Sequence, residues 1–309
     1  MSELDAVRAQ PGAVGALVRA REHRRIASAY LFDGPSGVGK ELAAVAFATD
    51  VVSGGDPHCI DRIEAGAHPD VRVFGPREEG KRNIQVDVLR NEILPLAQFA
   101  PFEASSTFFI FPQADVSFPS FQPEAANALL KTLEEPRPGV HFILTSERAE
   151  SLLPTIRSRC QRIRFGRLPD TVVEELLRRE GLPDDVISPS IALSAGRADV
   201  ALALARDGTV AELRGLAASV DDAVKSGGPG TLVEISERLA RREDLPLALL
   251  TLQNLYRDRS VASLEVDGEE ASASAARVAL IQRCARSMQQ NANRQSALDA
   301  LLFDLRNVR

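Results

Sequence analysis

Residues 34–41, Gly-Pro-Ser-Gly-Val-Gly-Lys-Glu, form a glycine-rich stretch with a definite chemistry. The spacing Gly34-x-x-x-x-Gly39-Lys40, with Gly37 inside it, fits a phosphate-binding loop. Its glycines let backbone N–H groups wrap phosphate oxygens, and a lysine at the following helix N-terminus neutralises the terminal ones. The pattern then requires a Ser or Thr hydroxyl for magnesium, and the chain has Glu41. Two like charges about 4 Å apart near a surface repel by roughly 4 kcal/mol at an effective dielectric of 20. A carboxylate can also ligate a metal, so Glu41 weakens the site without abolishing it. The plainer alternative is a glycine turn that holds no nucleotide.

Hydrolysis by such a loop needs an acidic residue directly after a buried strand, to hold Mg²⁺. The buried strand is Thr-Phe-Phe-Ile-Phe (107–111), and Pro112 and Gln113 follow it. Asp115, three positions beyond Pro112, is badly placed to substitute. Cys160 has no histidine near it in sequence and reads as a small packed residue rather than a nucleophile.

The elements that must position these residues follow from periodicity. Residues 28–34 read as a short apolar strand and 40–52 as an Ala-rich helix, the context that strengthens a phosphate-loop match. Residues 70–74, 107–111, 140–146 and 160–165 read as further strands. Val86, Leu89, Ile93 and Leu96 share a helical spacing, as do Ala126, Leu129, Leu130 and Leu133 in a helix stopped at Pro136. Residues 112–123 read as a Pro-bounded loop, and a short helix is predicted within 147–159. Alternating strands and helices imply a parallel sheet covered on both faces. After Phe165 the strand signals stop. Three short helices are predicted to about residue 209, then long amphipathic helices, with 225–230 loose and 268–275 an exposed loop.

The chain has 309 residues, 44% of them hydrophobic, enough for more than one packed domain. Its formal net charge is −6, which argues against a free-standing nucleic-acid binder and leaves DNA as at most a shared ligand. No apolar run is long enough to span a membrane, and the first 20 residues carry no export signal. Cys59, Cys160 and Cys284 are far apart, which suits a reducing cytosol. The 33 arginines outnumber the four lysines, so any single surface Arg begins as an ordinary one.

Residues 34–40, 65–70 (Ala-Gly-Ala-His-Pro-Asp), 84–90 (Ile-Gln-Val-Asp-Val-Leu-Arg), 124–136 (ending Lys-Thr-Leu-Glu-Glu-Pro), 152–165 (containing Ser158-Arg159-Cys160) and 291–305 occur in an order and spacing that resemble bacterial DNA polymerase III clamp-loader subunits, an AAA+ ATPase family. The likeness runs from about residue 20 to the C-terminal helices. Within the family the chain resembles the delta-prime group rather than the ATP-hydrolysing gamma/tau group, which has Thr or Ser, Asp and Glu at the positions of Glu41, Pro112 and Gln113. Active members also carry a phosphate-sensing Arg three residues after a lid Gly; here Gly196 is followed at that distance by Asp199.

The resemblance implies an α/β AAA+ core over 1–166, a three-helix lid over 167–209 and an all-α collar over 210–309. It implies a catalytically silent ring subunit of the DNA polymerase III holoenzyme, with Arg159, in its Ser158-Arg159-Cys160 context, as an arginine finger acting in trans on a gamma/tau ATP. Arg157, Arg162 and Arg164 lack that context and are expected on solvated faces. Implied partners are the gamma/tau and delta subunits, the sliding clamp (beta), and primed DNA within the assembly only; no membrane is expected, and the location is cytoplasmic. Whether ATP or ADP occupies Gly34, Gly37, Gly39 and Lys40 stays open. Family members of this type carry a four-cysteine zinc module just before residues 68–70. Here Cys59 stands with only His58 and His68, so no zinc or other metal is expected. The enzyme alternative is an active ATPase subunit using Glu41 and Asp115; a third is a DNA-binding adaptor with no ATP role.

Overall fold

The computed structural model describes residues 2–75, 84, 86–118, 123–264, 266–289 and 293–308. The chain divides into two compact units, residues 1–173 with 196–200, and residues 174–195 with 201–309.

The first unit holds one parallel sheet: β1 (Ala29–Asp33), β2 (Val71–Val73), β3 (Thr107–Phe111), β4 (Val140–Ser146) and β5 (Gln161–Arg164), ordered β2-β3-β4-β1-β5. Around it run α1 (Pro11–Glu22), α2 (Lys40–Ser53), α3 (Pro57–Glu64), α4 (Val86–Val88), α5 (Leu94–Leu96), α6 (Ala114–Ser117), α7 (Pro123–Glu134) and α8 (Pro154–Arg157). Between α4 and α5 the helix widens into a π-helical turn, Leu89–Ile93, ahead of Pro95, which has no N–H for an i→i−4 bond.

Strand position explains strand composition. The central strands β3 and β4 are buried along their whole length and read as continuous apolar runs, because helices cover both faces. Successive residues face opposite ways. Leu31, Phe109, Phe111, Phe142 and Leu144 pack with Leu89, Ile93, Ala126, Leu129 and Leu133. On the other face Tyr30 and Phe108 meet Phe47 of α2 edge-on, with ring centroids 5.6 and 5.8 Å apart. The edge strand β5 buries only Ile163 and exposes Gln161, Arg162 and Arg164, charges that discourage pairing with another strand.

The second unit is helical. It contains the later part of α9 (Asp170–Arg179), α10 (Asp184–Ser194), the later part of α11 (Ala198–Arg206), and α12 (Thr209–Ser226), α13 (Pro229–Ala240), α14 (Leu245–Ser263), α15 (Gly268–Gln289) and α16 (Arg294–Asn307). Its interior carries a polar group. Asp221 on α12 accepts two hydrogen bonds from Arg259 of α14, at 3.0 and 2.8 Å, and pairs with Lys225 at 3.0 Å. The guanidinium groups of Arg259 and Arg277 each lie 5.5 Å from the buried Tyr256 ring.

The α/β core followed by helices matches the expected fold class. Two expectations fail locally. Residues 268–275 are not an exposed loop but the start of α15. Asp267 caps that helix, its Oδ1 accepting from the Glu269 and Glu270 N–H groups at 3.1 Å each, and Ala271, Ala273 and Ser274 are buried. The stretch after Pro112 is not all loop: α6 lies within it, and residues 119–122 fall outside those described. Among the described residues no helix is long and apolar enough to cross a membrane.

Candidate functional site

The glycine loop leaves β1 and enters α2. Gly34 is required by space: its N–H donates to the Ser146 carbonyl at 3.1 Å, and a Cβ here would stand 2.3 Å from the Phe165 carbonyl oxygen. Gly37 and Gly39 have φ of +64° and +92°, the left-handed region that favours glycine. Lys40 is buried, and its ammonium donates to the loop's own carbonyls, to Gly34 at 2.8 Å and to Pro35. Burial pulls the Lys40 pKa down, and the carboxylates of Glu147, Asp115, Glu41 and Asp199 act against that. One ammonium therefore works within a field of four carboxylates.

Asp199 comes close to the loop itself. A Cβ on Gly37 would stand 2.1 Å from Asp199 Oδ1, and the Ala198 N–H donates to the Gly37 carbonyl at 3.2 Å. This approach is set by a two-residue left-handed turn, Ala195 (φ +52°) and Gly196 (φ +74°), whose carbonyl at Gly196 accepts from the Leu168 N–H at 2.9 Å. Gln10, which the sequence reading passed over, ties the same region together. Its side-chain amide donates to Gly166 at 2.7 Å and to the Val38 carbonyl at 3.4 Å, and its oxygen accepts from the Gly166 N–H at 2.9 Å.

At the end of β3, Gln113 is left-handed (φ +47°), and its N–H donates to Thr145 Oγ1 at 3.1 Å. The turn of α6 folds Asp115 inward: it is 9% exposed and its carboxylate accepts from the Glu147 N–H at 3.3 Å. Asp115 thus lies nearer the phosphate loop than three residues beyond a proline suggested.

Arg159 follows α8. Its Nη1 donates to the Thr155 carbonyl at 2.9 Å, and its Nη2 to Glu134 Oε1, on the last residue of α7, at 2.5 Å. Ser158 Oγ donates to the same Thr155 carbonyl at 3.1 Å. Cys160 packs against the core, and burial pushes its thiol up to about 12, so it stays protonated at neutral pH. The expectation of solvated faces holds unevenly for the neighbouring arginines. Arg162 spans β5 and β1 to pair with Asp33, with Glu150 at 3.3 Å, and the Arg157 Nε is buried.

Residues 9–169, just over half of the chain, match the family model described as DNA polymerase III, delta subunit. The chain belongs to this family. The delta-prime subunit of DNA polymerase III from Bacillus subtilis is 33% identical over 175 residues, 54% of this chain and 51% of that protein. The Escherichia coli delta-prime subunit is 35% identical over 150 residues, 48% of this chain and 43% of that protein. The chain spans about half the length of the curated relatives it matches. A gamma/tau subunit from Mycobacterium tuberculosis is 31% identical over 184 residues, 56% of this chain and 31% of that protein. Among solved structures, a gamma subunit-related protein of Thermotoga maritima aligns over 94% of this chain and 99% of its own, at 19% identity and a TM-score of 0.42.

In this delta-family chain the segment at 58–70 does structural work. His68 Nδ1 accepts from the Asp70 N–H at 3.1 Å. The buried Asp70 carboxylate accepts the N–H groups of Phe102, Glu103 and Ala104 at 2.7, 2.8 and 2.9 Å. Burial works to raise the Asp70 pKa, but those three bonds outweigh it and hold the group below its ordinary value. Arg62 of α3 pairs with both oxygens of Glu103, at 2.7 and 3.0 Å. Among the described residues no three His, Cys, Asp or Glu side chains converge as metal ligands.

Proposed function

We propose that this chain is the delta-prime member of a DNA polymerase III clamp loader, a ring subunit that does not itself hydrolyse ATP. In this reading it presents Arg159 to ATP held by an adjacent gamma/tau subunit. Together with the delta subunit, the assembly opens the sliding clamp and closes it on primed DNA in the cytoplasm. Residues 1–166 serve as the AAA+ core, 167–209 as the lid and 210–309 as the collar.

The observation that carries the reading is how the phosphate loop is filled. Its lysine is satisfied by the loop's own carbonyls, and Asp199 lies against Gly37. A triphosphate brought here meets carboxylates where a hydrolysing site needs hydroxyl, magnesium and guanidinium. Arg159, in contrast, is one-third exposed at the edge of its unit. A guanidinium fixed there suits charge that develops on a phosphate supplied from outside. Arginine fingers contribute about 10³–10⁵ in rate, roughly 4–7 kcal/mol.

ATP turnover by the purified chain with magnesium, beside a Lys40→Ala control, tests the silent half of this reading. The two are expected to be indistinguishable. Arg159→Ala in the reconstituted loader tests the other half, with a loss of clamp- and DNA-stimulated hydrolysis expected. One observation favours the active-subunit alternative: Asp115 and Glu147 both act on Lys40. Lys40-dependent turnover by the isolated chain would establish it.

A further inference from the structure

Helix α7 ends Lys-Thr-Leu-Glu and has no part in the function so far described, yet its last residue, Glu134, meets Arg159. We propose that Glu134 is a positioning residue for Arg159, fixing the guanidinium plane at the edge of the α/β unit for its action in trans. The inference rests on the trans role given to Arg159 above.

Two anchors hold the guanidinium, and they come from different elements. Nη1 is fixed by the Thr155 carbonyl at 2.9 Å, one turn back in the same segment, and Nη2 by Glu134 Oε1 at 2.5 Å. Without Glu134 the group would be held through Nη1 alone, by the Thr155 carbonyl and by Ser158 Oγ at 3.5 Å, and free to swing about that nitrogen. Two anchors on separate nitrogens define its plane. An arginine otherwise has many rotamers to lose when it meets its target, and immobilising it beforehand lowers that cost. The helix end is placed for this purpose: α7 stops at Glu134, two residues before Pro136, which cannot continue a helix.

The pair has little value as a folding device. The side chains are 33% and 48% exposed, and ion pairs open to solvent contribute little to stability. A residue that adds little to stability yet orients a group held for catalysis is expected to affect turnover rather than folding.

The test uses the loader reconstituted with its gamma/tau and delta subunits, with clamp and primed DNA, measuring kcat and KM for ATP. Glu134→Ala is expected to lower kcat about ten-fold with KM unchanged, since misplacing a catalytic group by about 1 Å costs up to 10². Glu134→Gln keeps an oxygen acceptor and is expected to retain most of the rate. Adding Glu134→Ala to Arg159→Ala is expected to cost nothing further. Full or increased turnover in Glu134→Ala, beside a slow Arg159→Ala, overturns the positioning role and leaves the trans role standing. Full turnover in Arg159→Ala overturns both. If Glu134→Ala does not assemble, phenylglyoxal mapping of the isolated chain reads the contact directly. Arg159 modification is expected to be several-fold faster in Glu134→Ala than in the wild type, and an unchanged rate overturns the proposal.

Discussion

Asp199 and Gly37 are in direct contact: the position of a Cβ on Gly37 would lie 2.1 Å from Asp199 Oδ1 and 2.5 Å from its Cγ. The contact places a carboxylate against the loop whose backbone would otherwise cradle phosphate. It joins two residues that stand 162 positions apart in sequence.

Removing that carboxylate should partly reopen the loop. Asp199→Ala is expected to strengthen binding of a fluorescent ATP analogue by about an order of magnitude over the wild type. That corresponds to about 1.4 kcal/mol, a modest part of the roughly 4 kcal/mol that two like charges exchange at about 4 Å. On the proposed silent-subunit reading no turnover accompanies the tighter binding, because Glu41, Pro112 and Gln113 are unchanged. An affinity equal to the wild type would mean that Asp199 does not exclude nucleotide.

The left-handed turn that precedes Asp199 is also testable. Gly196→Ala places a Cβ 2.6 Å from the Leu168 carbonyl oxygen at φ +74°, and both the clash and the left-handed conformation oppose it. A cost of about 2–3 kcal/mol is expected in denaturant unfolding. Ala195 already bears a Cβ at φ +52°, so Ala195→Gly removes strain and is expected to gain up to about 1 kcal/mol. Equal effects of the two changes would contradict this account of the turn.

How much of this could be read beforehand depended on whether the cause was local. The strands at 107–111 and 140–146 were legible because a parallel sheet covered on both faces favours short apolar runs without polar alternation. The glycine loop between β1 and α2 was legible because its glycines meet local backbone requirements. What escaped depended on partners distant in sequence. Glu134 meets Arg159 only once α7 and α8 are packed, and Gln10 reaches Gly166 across 156 positions. Asp115 turns inward because α6 begins at a left-handed Gln113, a conformation its residue type does not announce. The start of α15 was misread for a different reason. Its Ser and Ala residues resemble loop composition, and the capping Asp267 stands immediately before residues 268–275.

Asp221 makes the helical unit sensitive to acid. Burial works to raise its pKa, but Arg259 and Lys225 outweigh that and bring it from an ordinary 3.8 down to about 2. A carboxylate that is more acidic in the folded state binds fewer protons there, so its contribution is fully present above about pH 4. It is lost as the pH falls through 4 towards 2. At 1.36 kcal/mol per pKa unit the contribution is about 2 kcal/mol, and the side chain is only 7% exposed, so screening removes little of it. Denaturant unfolding of the whole chain at pH 6 and pH 3, followed through the helical signal, should show the wild type losing more stability than Asp221→Asn. At pH 6 the Asn variant should be the less stable, because Arg259 then loses its two charge-assisted hydrogen bonds and keeps only Glu270, at 4.0 Å. A pH dependence identical in the two proteins would place the acid-sensitive group elsewhere.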